Sequence, residues 1–145
     1  MKVLYSKYLD GKPTFFKERI AKGCYPDLNV NYNPFHSFRP KIHTIRRNEE
    51  YRLCIGEKLE MFYDDGCEKI ADIDCTDVQD VFMTWINGQF EVSVDDKYMY
   101  YTEITELALN DGFESYQDFR NYFIKKMDSN GCYSGYIIHW TNFKY

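Results

Sequence analysis

The cleanest hydrophobic pattern in the chain is Phe90, Val92 and Val94 alternating with Glu91, Ser93 and Asp95. That period of two predicts a strand with one buried face. Asn87-Gly88 just before it is a type I′ hairpin turn. Upstream, Cys67 to Ile86 is rich in β-branched and aromatic residues and predicts strand, with a bulge near Asp77 where the alternation slips. Asp64-Asp65-Gly66 is a second hairpin turn, closing a strand at Leu59 to Tyr63 that follows a turn at Gly56. Val3 to Tyr5 is a short apolar run that fits another strand.

Helical spacing governs three other stretches. Phe15, Phe16, Arg19 and Ile20 share one face of a helix running from Pro13 in its first turn to a stop at Gly23. Thr102 to Asp111 forms a second, with Thr102 or Thr105 as cap and Gly112 as stop. Ser115 opens a third, whose apolar stripe is Tyr116, Phe119, Tyr122 and Phe123. A loop at Asp128 to Gly131 leads to a last strand, Tyr136 to Trp140. Short strands with tight turns, flanked by helices, predict an α+β fold built on a small barrel or strongly curved sheet. Between Cys24 and Pro40, Pro26, Pro34 and Pro40 with three asparagines exclude regular structure. Tyr25, Tyr32, Phe35 and Phe38 argue for a packed loop there, either a lid or a structural patch.

One stretch fits neither period. Pro40-Lys41-Ile42-His43-Thr44-Ile45-Arg46-Arg47 gathers an amine, an imidazole, a hydroxyl and two guanidiniums. Ile42 and Ile45 stand three apart, which is not the alternation of a half-buried strand. Lys41 and Thr44 have the same spacing and would share one side of a turn. The spacing suits a pocket rim, and by itself it suits a solvated basic segment better.

Composition narrows the partners. The chain has 145 residues, one domain's worth, with 44% hydrophobic and 19% aromatic content. The net charge of −5 excludes a basic footprint over the whole surface. Yet five of the 18 basic residues fall between Arg39 and Arg52, an island suited to a small anionic or polar ligand. No apolar run approaches a membrane span. Met1 to Asp10 lacks the features of a secretory signal, so a cytosolic location is expected. Five cysteines without a C-x-x-C predict buried free thiols, with neither metal nor cofactor.

A helix ending in glycine, then Lys41-x-x-Thr44-x-Arg46, then Gly56 before a strand, resembles the ASCH domain. The second half is similar as well: Glu106 to Phe113, a further helix, and a closing Ile137-Ile138-His139-Trp140-Thr141. The likeness covers about Gly11 to Tyr145 and is nearest to small ASCH-type proteins of bacteriophages and their hosts. It implies a PUA-like fold over residues 1–145, a small mixed β-barrel with helices at its ends and a cleft beside it. The Cys24 to Pro40 loop would be an insertion, because the small enzymes join helix and lysine almost directly. ASCH domains are associated with RNA. One branch hydrolyses N4-acetylcytidine with a lysine, a threonine and an acid, and another has ribonuclease activity. Lys41 and Thr44 match the first two, and Asp111 stands where the family enzyme has glutamate.

On that reading Lys41, Thr44 and Asp111 are the candidates for chemistry. Lys41 works as a base only if burial or a cation such as Arg46 brings its pKa down from about 10.4 towards ~7. Arg46, His43 and Arg47 are candidates for binding, and Tyr25, Phe38 or Trp140 for stacking on a base. The expected partner is a nucleotide, a modified nucleoside or short single-stranded RNA. The alternative is a phage-type factor that binds a protein through its acidic, tyrosine-rich surface without catalysis.

Overall fold

A computed structural model describes residues 1–25, 39–49, 51 and 54–145. The largest sheet has five strands, and β4 (His43–Arg47) is at its edge. Next in order come β10 (Cys132–His139), β7 (Asp77–Ile86), β8 (Gln89–Val94) and β9 (Lys97–Tyr98), every pairing antiparallel. A three-stranded sheet holds β1 (Lys2–Tyr5), parallel to β5 (Lys58–Tyr63), which pairs with β6 (Lys69–Asp74). Two short strands, β2 (Tyr8–Leu9) and β3 (Lys12–Pro13), form a hairpin. The helices are α1 (Phe16–Cys24), α2 (Tyr101–Asn110) and α3 (Tyr116–Ile124). The fold class is α+β, and among the described residues the strands form three sheets.

Both faces of the five-stranded sheet are covered. Ile45, Val81, Met83, Val92 and Ile137 pack against Leu107 and Ala108 of α2 and Phe119 and Phe123 of α3. On the opposite face, Ile138 and Trp140 join Val3, Leu59 and Met61 of the smaller sheet and Ile20 of α1. Burying side chains of this size stabilises by about 1.5–3 kcal/mol each. Double coverage also explains why β4 does not alternate. His43, Thr44 and Ile45 are all buried, so a strand lies where spacing pointed to a turn.

Several boundaries move. The Cys67 to Ile86 run is two strands in different sheets, and its slip near Asp77 is a crossover rather than a bulge. There the Cys75 N–H donates to Glu57 and the Thr76 N–H to His139, so the chain steps from one sheet to the other. The irregularity in register falls instead at Met61/Phe62. Pro13 belongs to β3, and α1 starts after Phe15, whose φ is 52°. Gly23 lies inside α1 rather than past its end, and a Cβ there would come within 2.4 Å of the Lys41 carbonyl oxygen. Tyr100, not Thr102 or Thr105, caps α2: its N–H donates to the Glu103 carboxylate at 2.8 Å. Asn87 and Gly88 both have positive φ, 52° and 78°, as the type I′ turn requires. Of the free cysteines, Cys54 and Cys75 are buried, Cys24 and Cys132 half-buried and Cys67 exposed. No helix among the described residues is long and apolar enough to cross a membrane.

Candidate functional site

Lys41 enters β4 clamped between two helices. Its N–H donates to Arg19 of α1 at 2.9 Å, and the Ile42 N–H donates to Asn110 of α2 at 3.0 Å. Asp111 comes from the end of α2, where Gly112 (φ 90°) allows the Phe113 N–H to reach Ala108 and the Gly112 N–H to reach Leu109. This is a Schellman closure, and it fixes the backbone that carries the Asp111 carboxylate. Lys41 Nζ lies 2.5 Å from Asp111 Oδ1 and also donates to the Asp111 carbonyl. The two side chains are 2% and 6% exposed, so the pair is a buried one.

The surroundings act on the amine. Phe16 and Tyr5 rings lie 5.0 and 5.7 Å from Nζ. Burial lowers the Lys41 pKa from 10.5 to about 8, against the opposing pull of Asp111 and with help from the Arg46 and Arg19 charges. Burial raises the Asp111 carboxyl, but the Lys41 charge and the His43 ring outweigh it and hold the group below the usual carboxylate range.

Thr44 and Arg46 lie on the face of β4 turned toward β1, and with Lys41, Asp111, Tyr5 and Phe16 they line a cavity of about 70 Å³. That is space for a group of a few heavy atoms, since a water in the liquid occupies about 30 Å³. Arg46 reaches back to the Leu4 carbonyl with Nη2 at 2.6 Å, and its guanidinium lies 4.9 Å from the Tyr5 ring centroid. Among the buried polar atoms that make no hydrogen bond with the described residues are the Tyr5 hydroxyl and Arg46 Nε, both on residues that line this cavity. Thr44 and Arg46 beside the phenol favour its ionisation, yet burial holds its pKa well above the ordinary range, so Tyr5 keeps its proton.

His43 faces the other way, toward α2. Its Nδ1 is 3.7 Å from Asp111 Oδ1 and its Nε2 is 2.7 Å from the Tyr145 hydroxyl. Asn110 Nδ2 donates to that hydroxyl at 3.0 Å, leaving the phenolic proton for His43 Nε2. Burial keeps the ring neutral, so its own proton sits on Nδ1, toward Asp111. His43 therefore lies behind the carboxylate, too far for a hydrogen bond to it, and does not line the cavity.

Lys41, Thr44, Arg46 and Asp111 thus meet at one cavity, and the other described candidates do not. Arg47 points to the helix side, where it lies 5.0 Å from the Tyr133 ring and donates to the Lys126 carbonyl. Tyr25 is 60% exposed at the end of α1 and lines no part of the cavity. Trp140 is buried in the core between the sheets, where an alternating strand facing two apolar layers has to put it. Phe38, with most of the Cys24 to Pro40 loop, lies outside the described residues. The sequence reading missed Tyr5, Asn110 and Tyr145. The signal for Tyr5 was its place two residues after Val3 on the buried face of β1.

No group of His, Cys, Asp and Glu among the described residues is placed to hold a metal ion. The chain matches no protein-family model, no curated protein and no solved structure.

Proposed function

We propose that this cleft belongs to an ASCH-like domain of PUA-like fold that binds a modified nucleoside and hydrolyses its acyl amide. A nucleotide or a single-stranded RNA end would present the same base. The observation that carries the proposal is the buried Lys41–Asp111 pair at 2.5 Å, opening on a cavity that Thr44 also lines. A site that only binds has no need of a lysine lowered to about 8, whereas a general base does. At neutral pH about a tenth of such amines are free.

In the reaction, the free Lys41 amine takes the proton of the Thr44 hydroxyl, or of a water held by it, as oxygen bonds to the acyl carbon. The Tyr5 O–H and Arg46 Nε–H supply hydrogen bonds to the oxyanion that forms. The C–N bond then breaks and the Lys41 ammonium returns the proton to the leaving nitrogen. If Thr44 carries the acyl group, a water cleaves that ester, restoring the hydroxyl and freeing a carboxylate. Asp111 holds the amine in place throughout.

Incubation with N4-acetylcytidine and related acylated nucleosides tests the proposal. The wild type should release carboxylate, and Lys41→Ala should be slower by at least about a hundredfold. Equal turnover by the two would remove Lys41 from the mechanism. A second reading, a factor that binds another protein, is favoured by one observation: Tyr98, Tyr100 and Tyr101 are 50%, 71% and 64% exposed. Turnover that survives their joint replacement by serine separates the two.

A further inference from the structure

We infer that the inner end of the cleft is a binding site for a free short-chain monocarboxylate. The inference rests on the reading of this cleft as a ligand site and adds what its deepest part holds. Three facts converge. Among the residues that line the cavity, Tyr5 through its buried hydroxyl and Arg46 through its buried Nε each have a donor that makes no hydrogen bond with the described residues. A buried donor left unmade keeps its full desolvation penalty, so the site favours an occupant that brings acceptors. Lys41 Nζ has a third proton beyond the two it gives to Asp111.

Charge points the same way. Lys41 and Arg46 place two cations against the single carboxylate of Asp111, and both lie within 6 Å of the Tyr5 ring centroid. The surplus is one positive charge, which matches a monoanion better than a dianion. The apolar part of the lining, Leu4, Phe16 and Ile45, suits a short alkyl end. The volume of about 70 Å³ matches a short chain better than a long one. A carboxylate with one to three carbons meets all of these conditions. A phosphate would bring more oxygens than the spare donors and a second charge toward Asp111.

The test is an amide chemical-shift titration of the whole chain with formate, acetate, propionate, hexanoate and inorganic phosphate, each against sodium chloride at equal ionic strength. Acetate and propionate should shift the amides of Lys41, Thr44 and Asp111 saturably in the millimolar range, with hexanoate about tenfold weaker or worse. Tyr5→Phe, which removes one oxygen, should weaken acetate by about tenfold or more. Arg46→Lys keeps the charge but loses the Nε donor, and it should weaken acetate similarly, so it decides the matter if Tyr5→Phe does not fold. No saturable shift beyond that of sodium chloride overturns the inference. So does phosphate binding as tightly at the same amides, or hexanoate as tightly as acetate. Carboxylate binding without turnover of acylated nucleosides would leave this site standing and remove the hydrolysis. Turnover without carboxylate binding would do the reverse.

Discussion

Two of the molecule's lysine–carboxylate regions look alike on paper and behave oppositely. At the surface, Lys7 reaches Asp65 at 3.0 Å and Glu68 at 3.2 Å, and Lys17 reaches Glu68 at 3.0 Å. These side chains are 41–48% exposed. The hydrogen bonds that Lys7 donates to Asp65 and Glu68 raise its pKa above the ordinary value. Lys41 has a closer carboxylate, yet its pKa falls to about 8 because burial penalises its charge more than Asp111 rewards it. The lesson is that a partner alone does not set a lysine's proton affinity. Water does, and only the inner pair has lost it.

Removing the carboxylates one at a time should give the widest separation. Asp111→Ala leaves a buried ammonium with no counter-charge, and a loss of about 3–5 kcal/mol is expected in urea denaturation. Glu68→Ala should leave the midpoint where it is, since Lys7 and Lys17 there are half exposed and return to water. Equal effects would mean that Lys41 is solvated in solution, and the comparison would collapse.

The second expectation concerns pH. Lys41 is depressed from 10.5 to about 8 in the folded chain. Between those values the unfolded chain binds more protons than the folded one, so this group's contribution to stability rises with pH across the window. The whole rise is on the order of 3 kcal/mol. Asp111 works at the other end: its carboxyl is held low, so its contribution is present above an unfolded value of about 4 and is lost as the pH drops further. Turnover of an acylated nucleoside should climb through an acid limb near pH 8, where the amine becomes free. A limb near 10 would make Lys41 an ordinary lysine like those at the surface.

A third expectation comes from the backbone around the buried pair. Replacing a helical glycine by alanine ordinarily stabilises, by up to about 1 kcal/mol. At Gly23 the new Cβ would meet the Lys41 carbonyl oxygen at 2.4 Å. Gly23→Ala should therefore destabilise by about 1–3 kcal/mol and lower activity together with stability. Thermal unfolding decides the sign, and stabilisation would show that the clamp on Lys41 is loose.

Gly23 also shows what could be read from sequence and what could not. As punctuation it pointed to a helix in the right place, since α1 ends one residue later. Its reason, room for a chain segment 18 positions on, is a tertiary contact that no local rule contains. The same division holds elsewhere. Turns at Asn87-Gly88 and Asp64-Asp65-Gly66, and the Gly112 stop, were legible because φ preferences are local. Strand β4 was not, because burial on both faces erases the alternation by which a strand is recognised. Lys41, Thr44, Arg46 and Asp111 are tied together by a resemblance in motif order, whereas Trp140 reads equally as a stacking partner or a core residue until its packing is seen, because an aromatic on a strand looks the same facing a cleft or a core. Tyr5 and Tyr145 carry no motif. Only their distance from Arg46 and His43 reveals them.

The smallest effect should come from the outer lysines, and it is the one that tests whether the contrast is about water. Lys7 and Lys17 share Glu68, so losing one cation leaves the other in place. Lys7→Ala should leave the unfolding midpoint unmoved at ordinary ionic strength. What change it makes in dilute buffer should vanish in molar salt, where screening extends over only about 3 Å. The Lys41–Asp111 pair is buried and so is screened far less, and the cost of Asp111→Ala should persist in the same salt. If molar salt abolished both differences, the inner pair would be in contact with solvent, and its depressed amine would have no physical cause.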